Sequence, residues 1–295
     1  MRARWSHSRL VKLLRCGEAY RREEEEQEFS PPSSSMVRGT VVHAVAAEGH
    51  ERQIKGKASR PGDPKPMVLR ESLPDEEEAA DLAASRFDWE RKQSGIVGVR
   101  DPEVDEPEKV VIGRDKDSAV RMSRHLVTKV APYVDPISVE EKLVVEPADA
   151  NIRISGILDL VTNEPPLVPG GPPRRGVRDY KSKRKAPDAG EAAGSGQLSM
   201  YALLDSLVTG RIADVFALDF IVDDGRFLKP PYFVSQESTR TQEDIDVMIE
   251  RLNNAIEGAA AGVFLANGVG TWQCSPRWCQ WWTTCKFVSK ARVKT

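Results

Sequence analysis

The chain has 295 residues, with 43 lysines and arginines against 45 aspartates and glutamates. That length can bury a substantial core, as one large domain with an appendage or as two modest ones. The near-balance of charge excludes a global field that gathers nucleic acid, so such binding must rest on local clusters. No apolar run approaches a membrane span, and the basic N-terminus lacks the apolar stretch of a secretory leader. A cytoplasmic location is therefore expected, where the four cysteines are reduced thiols or metal ligands in preference to disulfides.

In chain order, Ser8 is placed to cap a short helix through Leu10, Leu13 and Leu14 that ends near Cys16 and Gly17. The acidic runs "REEEEQE" and "PDEEEAAD" read as solvated faces, and "SPPSSS" between residues 30 and 35 as a loop. A second helix from Arg38, "RGTVVHAVAAEGHE", carries His43. Residues 55–67 are rich in proline and glycine, and two further helices are predicted over 74–93 and 117–131. The texture changes at Ile137. "ISVEEKLVVEP" and "NIRISGILDLVT" run apolar or alternate over strand lengths, with a polar "ADA" turn between them. A loop, "NEPPLVPGGPPRRG", leads to "GVRDYKSKRK", read as a third strand. A helix over 188–207 follows, its start obscured by Gly190, Gly194 and Gly196. Then come the strands "DVFALDFIVDD" and "FLKPPYFVS"; Pro230 and Pro231 place the latter at a sheet edge. A last helix starts near Thr239, with Ile245, Met248, Ile249, Leu252 and Ile256 at helical spacing. Strands, helix and strands between flanking helices make a mixed α/β domain.

One acid stands in the basic segment "GVRDYKSKRK". On a strand, Val177, Asp179 and Lys181 share a face. Asp159 of "GILDL" lies on another strand twenty residues earlier. Two carboxylates on neighbouring strands can converge on one Mg²⁺ or Mn²⁺ ion, which keeps further positions for water and phosphate oxygens. A lysine beside them can orient or deprotonate the attacking water and offset developing charge. Glu140 or Glu141, one strand earlier, offers another carboxylate, and the sequence does not choose between them. His43, among Val41, Val42 and Val45, reads on its own as a packed core histidine. The basic residues 174–185 read either as a solvated loop or as a phosphate contact, and Lys286, Lys290, Arg292 and Lys294 form a second basic cluster. There is no G-x-x-x-x-G-K-S/T run, so any unwinding must come from a partner.

The set "RGTVVHAV", "GILDL", "DYKS" and "QLSMY" resembles the RecB-type nuclease domain of the PD-(D/E)xK superfamily. The resemblance implies a restriction-endonuclease-like mixed sheet flanked by helices. It assigns His43, Asp159 and Asp179 to the metal with help from the main-chain carbonyl of Tyr180, makes Lys181 catalytic, and places Gln197 and Tyr201, which share a helix face at i, i+4, along the site. The four cysteines, Cys16, Cys274, Cys279 and Cys285, are similar to those of the iron-sulfur branch of these nucleases, seen in the AddB-type helicase-nuclease, the CRISPR adaptation nuclease and phage-encoded relatives. That implies a 4Fe-4S cluster joining the N-terminal and C-terminal segments. The first C-terminal gap of four residues departs from the branch, which often has a shorter one. Zinc is the weaker candidate, because its sites usually contain a tighter pair. Trp272, Trp278, Trp281 and Trp282 shield that site or stack on bases.

The expected organisation is an N-terminal segment 1–35 giving one cysteine, a helical region 36–135 with His43, a nuclease core 136–265, and a cysteine-rich tail 266–295. The expected function is a Mg²⁺- or Mn²⁺-dependent DNA exonuclease acting on ends or single strands in phage or bacterial recombination, repair or CRISPR adaptation. Its partners would be DNA and a helicase, a single-strand annealing protein or a CRISPR adaptation complex, with no membrane. The alternative is a non-catalytic DNA-binding or assembly subunit that keeps the fold.

Overall fold

The computed structural model describes residues 3–29, 31–59, 73–98, 106–146, 152–226, 229–268, 270–276 and 278–289. Ser6, not Ser8, caps the first helix, α1 (His7–Arg15), its hydroxyl accepting the Arg9 amide at 3.4 Å. Before it lies a strand of three residues, β1 (Ala3–Trp5). Cys16 breaks the helix with an extended backbone, and α2 (Gly17–Tyr20) leads into a wide helical turn, Arg21–Glu25, that absorbs the first acidic run.

Helix α3 (Ser34–Ser59) starts at Ser34 and not Arg38, taking up part of the expected loop, and runs into the proline- and glycine-rich stretch. The second acidic run is the N-terminus of α4 (Glu76–Ser94), where Asp75 caps the Glu78 amide at 2.8 Å and three glutamates face the positive end of the helix dipole. Helix α5 (Glu108–His125) begins before residue 117 and ends in a wide turn, Leu126–Val130, and a tight one, Ala131–Tyr133. The rest of the proline- and glycine-rich stretch, the "ADA" turn and Lys290, Arg292 and Lys294 lie outside the described residues.

Strands β2 (Pro136–Val145), β3 (Ile152–Glu164) and β4 (Arg174–Lys183) are antiparallel neighbours, as the apolar runs imply. Helix α6 (Gly196–Thr209) crosses over to β5 (Val215–Val222), which lies parallel to β4, and β6 (Tyr232–Ser238) closes the far edge. That edge position agrees with the proline pair just before β6. Every residue of β5 is buried, which explains its unbroken apolar run. Helix α7 (Gln242–Ala260) opens with a capping box between Thr241 and Asp244 and buries Ile245, Met248 and Leu252.

Two apolar clusters hold the sheet from opposite faces. One joins Val177, Leu218 and Phe220 to α1, α6 and α7; the other joins Leu160, Tyr180 and Ile221 to α3, α4 and α5. The edges of β3 explain where a site can open. β2 occupies one edge along its length, while the other is shared: Ile152–Ile154 pair with β1 and Leu160–Glu164 pair with β4. Residues 155–159 therefore lack a strand partner on that side, and β3 and β4 part at Asp159 and Asp179. Helix α6 fills this fork so closely that a Cβ on Gly156 would stand 2.7 Å from Leu204 Cδ1.

Candidate metal centre and cysteine cluster

The fork brings together the acids expected from the sequence. Asp159 Oδ2 accepts the main-chain N–H of Tyr180 at 3.1 Å, an amide freed where β4 leaves β3, and lies 2.9 Å from His43 Nδ1 on α3. His43 is thus no mere core histidine. Burial works against its charged form, but the charge and hydrogen bond of Asp159, with Asp179 behind, prevail and raise its pKa. The ligand atoms of His43, Glu140 and Asp159 lie within 4.8 Å of one another. The β2–β3 register decides between the two glutamates, because Val139 pairs with Leu160 and Glu141 with Leu158, leaving Glu140 opposite Asp159. Glu140 has φ 47°, a left-handed backbone that a non-glycine residue adopts only under local constraint. Burial, then the charge of Asp159, raise its pKa.

Asp179 is 1% exposed. Its Oδ1 accepts Gln197 Nε2 at 2.7 Å and the Tyr201 hydroxyl at 3.1 Å, while Gln197 Nε2 also reaches the Tyr201 oxygen at 2.7 Å. Gln197 Oε1 accepts Lys181 Nζ at 2.9 Å. Lys181 Nζ also stands 2.5 Å from Asp179 Oδ2, an ion pair between a partly exposed ammonium and a buried carboxylate oxygen. Burial first, then repulsion from Asp159, push the Asp179 carboxyl up to about 6, against the pull of Lys181 and His43. Burial and the two aspartates also raise the Tyr201 hydroxyl, keeping it a donor.

This set fits a divalent cation. Two carboxylates held close together, one of them buried, repel each other unless positive charge balances the pair, and one imidazole with several carboxylates is a donor set for Mg²⁺ or Mn²⁺. Tyr180 contributes in a way the sequence did not suggest. Its buried hydroxyl meets His50 Nε2 at 2.9 Å, His50 Nδ1 meets Gln53 Oε1 at 2.6 Å, and burial lowers the His50 pKa to about 4, so the ring stays neutral. The chain braces β4 against α3 behind the site.

Much of the basic stretch is paired within the fold. Arg175 pairs with Asp205 at 2.6 Å, Arg178 with Glu164 at 2.7 Å and Asp219 at 3.2 Å, Lys183 with Glu191, and Arg184 with Asp115 at 2.8 Å. Arg174 donates to the Pro165 carbonyl. The acids of Arg175 and Arg184 come from α6 and α5, and that of Lys183 lies eight residues further along the chain.

The four cysteines share one neighbourhood. The tail docks on the N-terminal helices: Gly17 N–H donates to the Leu265 carbonyl at 2.7 Å, Arg22 Nη1 to Thr284 Oγ1 at 3.1 Å, Gln280 Nε2 to Glu23 at 3.0 Å. Only glycine fits at position 17, where a Cβ would lie 2.6 Å from Leu265 N. Burial raises the Cys274 and Cys279 thiols, and the other cysteines, Cys16 and Cys285 among them, push both further in the same direction. Main-chain N–H groups point at sulfur: Asn267 donates to Cys16 Sγ at 3.5 Å and Trp281 to Cys279. Such donors favour thiolates, the form that binds metal. Trp272 and Trp278 form an exposed edge-to-face pair, Trp282 is buried, and the buried Trp281 Nε1 has no partner.

A family model of the PD-(D/E)XK nuclease superfamily matches residues 4–286. A solved structure described as "Putative exonuclease", from Eubacterium rectale, is 14% identical over 70% of this chain and 76% of its own, with a TM-score of 0.39. A search of curated proteins finds no match. Among the described residues, no helix is long and apolar enough to cross a membrane.

Proposed function

Because this chain belongs to the PD-(D/E)XK nuclease superfamily, we propose that it is a Mg²⁺- or Mn²⁺-dependent DNA exonuclease of the RecB type, acting on DNA ends or single strands. The observation that carries the reading is the pair of carboxylates that meet where β3 and β4 part: Asp159, grouped with His43 and Glu140, and the buried Asp179, ion-paired with Lys181. His43, Glu140, Asp159 and Asp179 would hold the cation, with the Tyr180 carbonyl assisting. When bound, the ion neutralises charge on the phosphate and makes an attacking water more acidic.

The chain's own residues divide the remaining work. Gln197 and Tyr201 occupy Asp179 Oδ1 and so turn Oδ2 toward the fork. Gln197 also holds Lys181, which is 34% exposed and can reach a phosphate oxygen or the attacking water. Lys181, paired with Asp179 and Gln197 here, would supply its ammonium to the substrate phosphate.

The cysteine site is read as one 4Fe-4S cluster held by Cys16, Cys274, Cys279 and Cys285. What supports one shared site is that Cys16, Cys274 and Cys285 all act electrostatically on Cys279, so the four sulfurs face one neighbourhood. Recombination, repair or CRISPR adaptation, in phage or bacteria, would supply the setting, with a helicase, an annealing protein or an adaptation complex as partner.

The test is cleavage of linear DNA labelled at each end in turn. Stepwise shortening that needs Mg²⁺ or Mn²⁺, and that is strongly slowed in Lys181→Ala, is expected. A wild-type protein inert on single- and double-stranded DNA with either ion would overturn the reading.

A further inference from the structure

Arg240 is 7% exposed, and among the described residues no carboxylate is hydrogen-bonded to it. Its five N–H groups each meet an acceptor: Nε donates to Ser199 Oγ at 3.0 Å, Nη1 to Ser238 Oγ and the Thr239 carbonyl at 2.8 Å, and Nη2 to the carbonyls of Ala192 at 2.6 Å and Ser195 at 3.1 Å. Two of those acceptors, the carbonyls of Ala192 and Ser195, belong to the turn before α6, and Ser199 lies in the first turn of the helix. The turn is otherwise loose in sequence, with Gly190 at φ 80°, Gly194 and Gly196, and glycines carry the largest entropy cost of ordering.

Helix stability does not account for a cation here. The N-terminal end of α6 is already positive, so a guanidinium beside it is unfavourable, and Ser195 caps the helix without help by accepting the Leu198 amide at 3.3 Å. Burial also works against the Arg240 charge, with Asp244 opposing, and the Asp244 carboxylate is engaged by Thr241. What the arginine supplies is position. It ties carbonyls 192 and 195 to the end of β6, and Gln197 follows two residues later with its amide bridging Asp179 and Lys181.

We propose that Arg240 is a positioning residue for the catalytic pair, setting through the 192–199 turn where Gln197 stands between Asp179 and Lys181. The inference rests on the nuclease reading above. A displacement near one ångström at a catalytic group costs roughly 10²-fold in rate. Arg240→Met should therefore lower kcat by about that factor with KM for DNA unchanged, and Arg240→Lys, which keeps the charge but not the five bonds, should fall between.

The deciding measurement is a double-mutant cycle with Gln197→Ala. Acting through Gln197, Arg240→Met costs nothing further in the Gln197→Ala background; independent, multiplying losses would overturn the proposal. So would a variant with wild-type kcat, or one whose loss lies wholly in KM. Should Arg240→Met fail to fold, the same cycle is run with Arg240→Lys. Amide exchange of Gln197, Leu198 and Ser199 is read in parallel without substrate, where faster exchange in Arg240→Met is expected and unchanged exchange refutes the clamp. An inactive wild-type enzyme with that exchange difference intact would sink the nuclease reading and not the clamp.

Discussion

Replacing Asp179 by asparagine separates the burden of burying this carboxylate from its use. Its pKa stands at about 6 against an ordinary 3.8, through burial first and Asp159 second. At about 1.4 kcal/mol per unit, holding the ionised form in the fold costs roughly 3 kcal/mol. The folded protein keeps a proton that the unfolded chain has released between pH 3.8 and about 6. Stability from this group therefore falls as pH rises through that window, and the cost is complete above it. Asparagine mimics the protonated acid and does not titrate. In chelator-treated protein, denaturant unfolding at pH 4.5 and pH 8 should show the stability of Asp179→Asn relative to wild type growing by about 2 kcal/mol toward the higher pH. Added Mn²⁺ should then stabilise wild type and leave the variant little changed. Parallel pH profiles for the two proteins, or a variant less stable than wild type at pH 8, would refute the reasoning.

Lys181→Ala should lose roughly 10²–10⁴-fold in cleavage rate while binding DNA as wild type does, by turnover and filter-binding assays. Glu140→Gln and His43→Ala should each weaken Mn²⁺ binding in calorimetry, and the histidine variant should also narrow the preference for Mn²⁺ over Mg²⁺, an imidazole being the ligand that favours Mn²⁺. Gly17→Ala drives a Cβ to 2.6 Å from Leu265 N, so it should loosen the tail and cost roughly 1–3 kcal/mol, seen as faster proteolysis after residue 265; in anaerobic protein the same change should bleach a brown colour. Arg178→Ala strands the buried Glu164 and Asp219 and should destabilise by roughly 3–5 kcal/mol in a melt, with the salt dependence of DNA binding unaltered.

How far the site could be read from the sequence depends on the range of the forces that make it. Alternation over two residues put Asp179 and Lys181 on one face, and i, i+4 spacing put Gln197 beside Tyr201; both are local and both hold in the structure. The choice of Glu140 over Glu141 depends on how β2 registers against β3, which neither strand states alone. The ion pairs of the basic stretch were out of sight for the same reason, since the partners of Arg175, Arg178 and Arg184 are Asp205, Glu164, Asp219 and Asp115. β1 is too short for any period, although its parallel pairing with β3 frames the gap where the site opens. Ile249 has helical spacing yet stands 38% exposed, because the α7 face buried against the core is narrower than the apolar stripe.

The central claim is that the fork between β3 and β4 holds a divalent cation. Its most direct test is anomalous scattering from a crystal of the wild-type protein soaked in Mn²⁺. A single strong peak is expected roughly 2–2.3 Å from Asp179 Oδ2 and a carboxylate oxygen of Asp159, within reach of His43, with Lys181 Nζ moved off Oδ2. Saturating Mn²⁺ with no peak in the fork, and Lys181 still against Asp179, would contradict it.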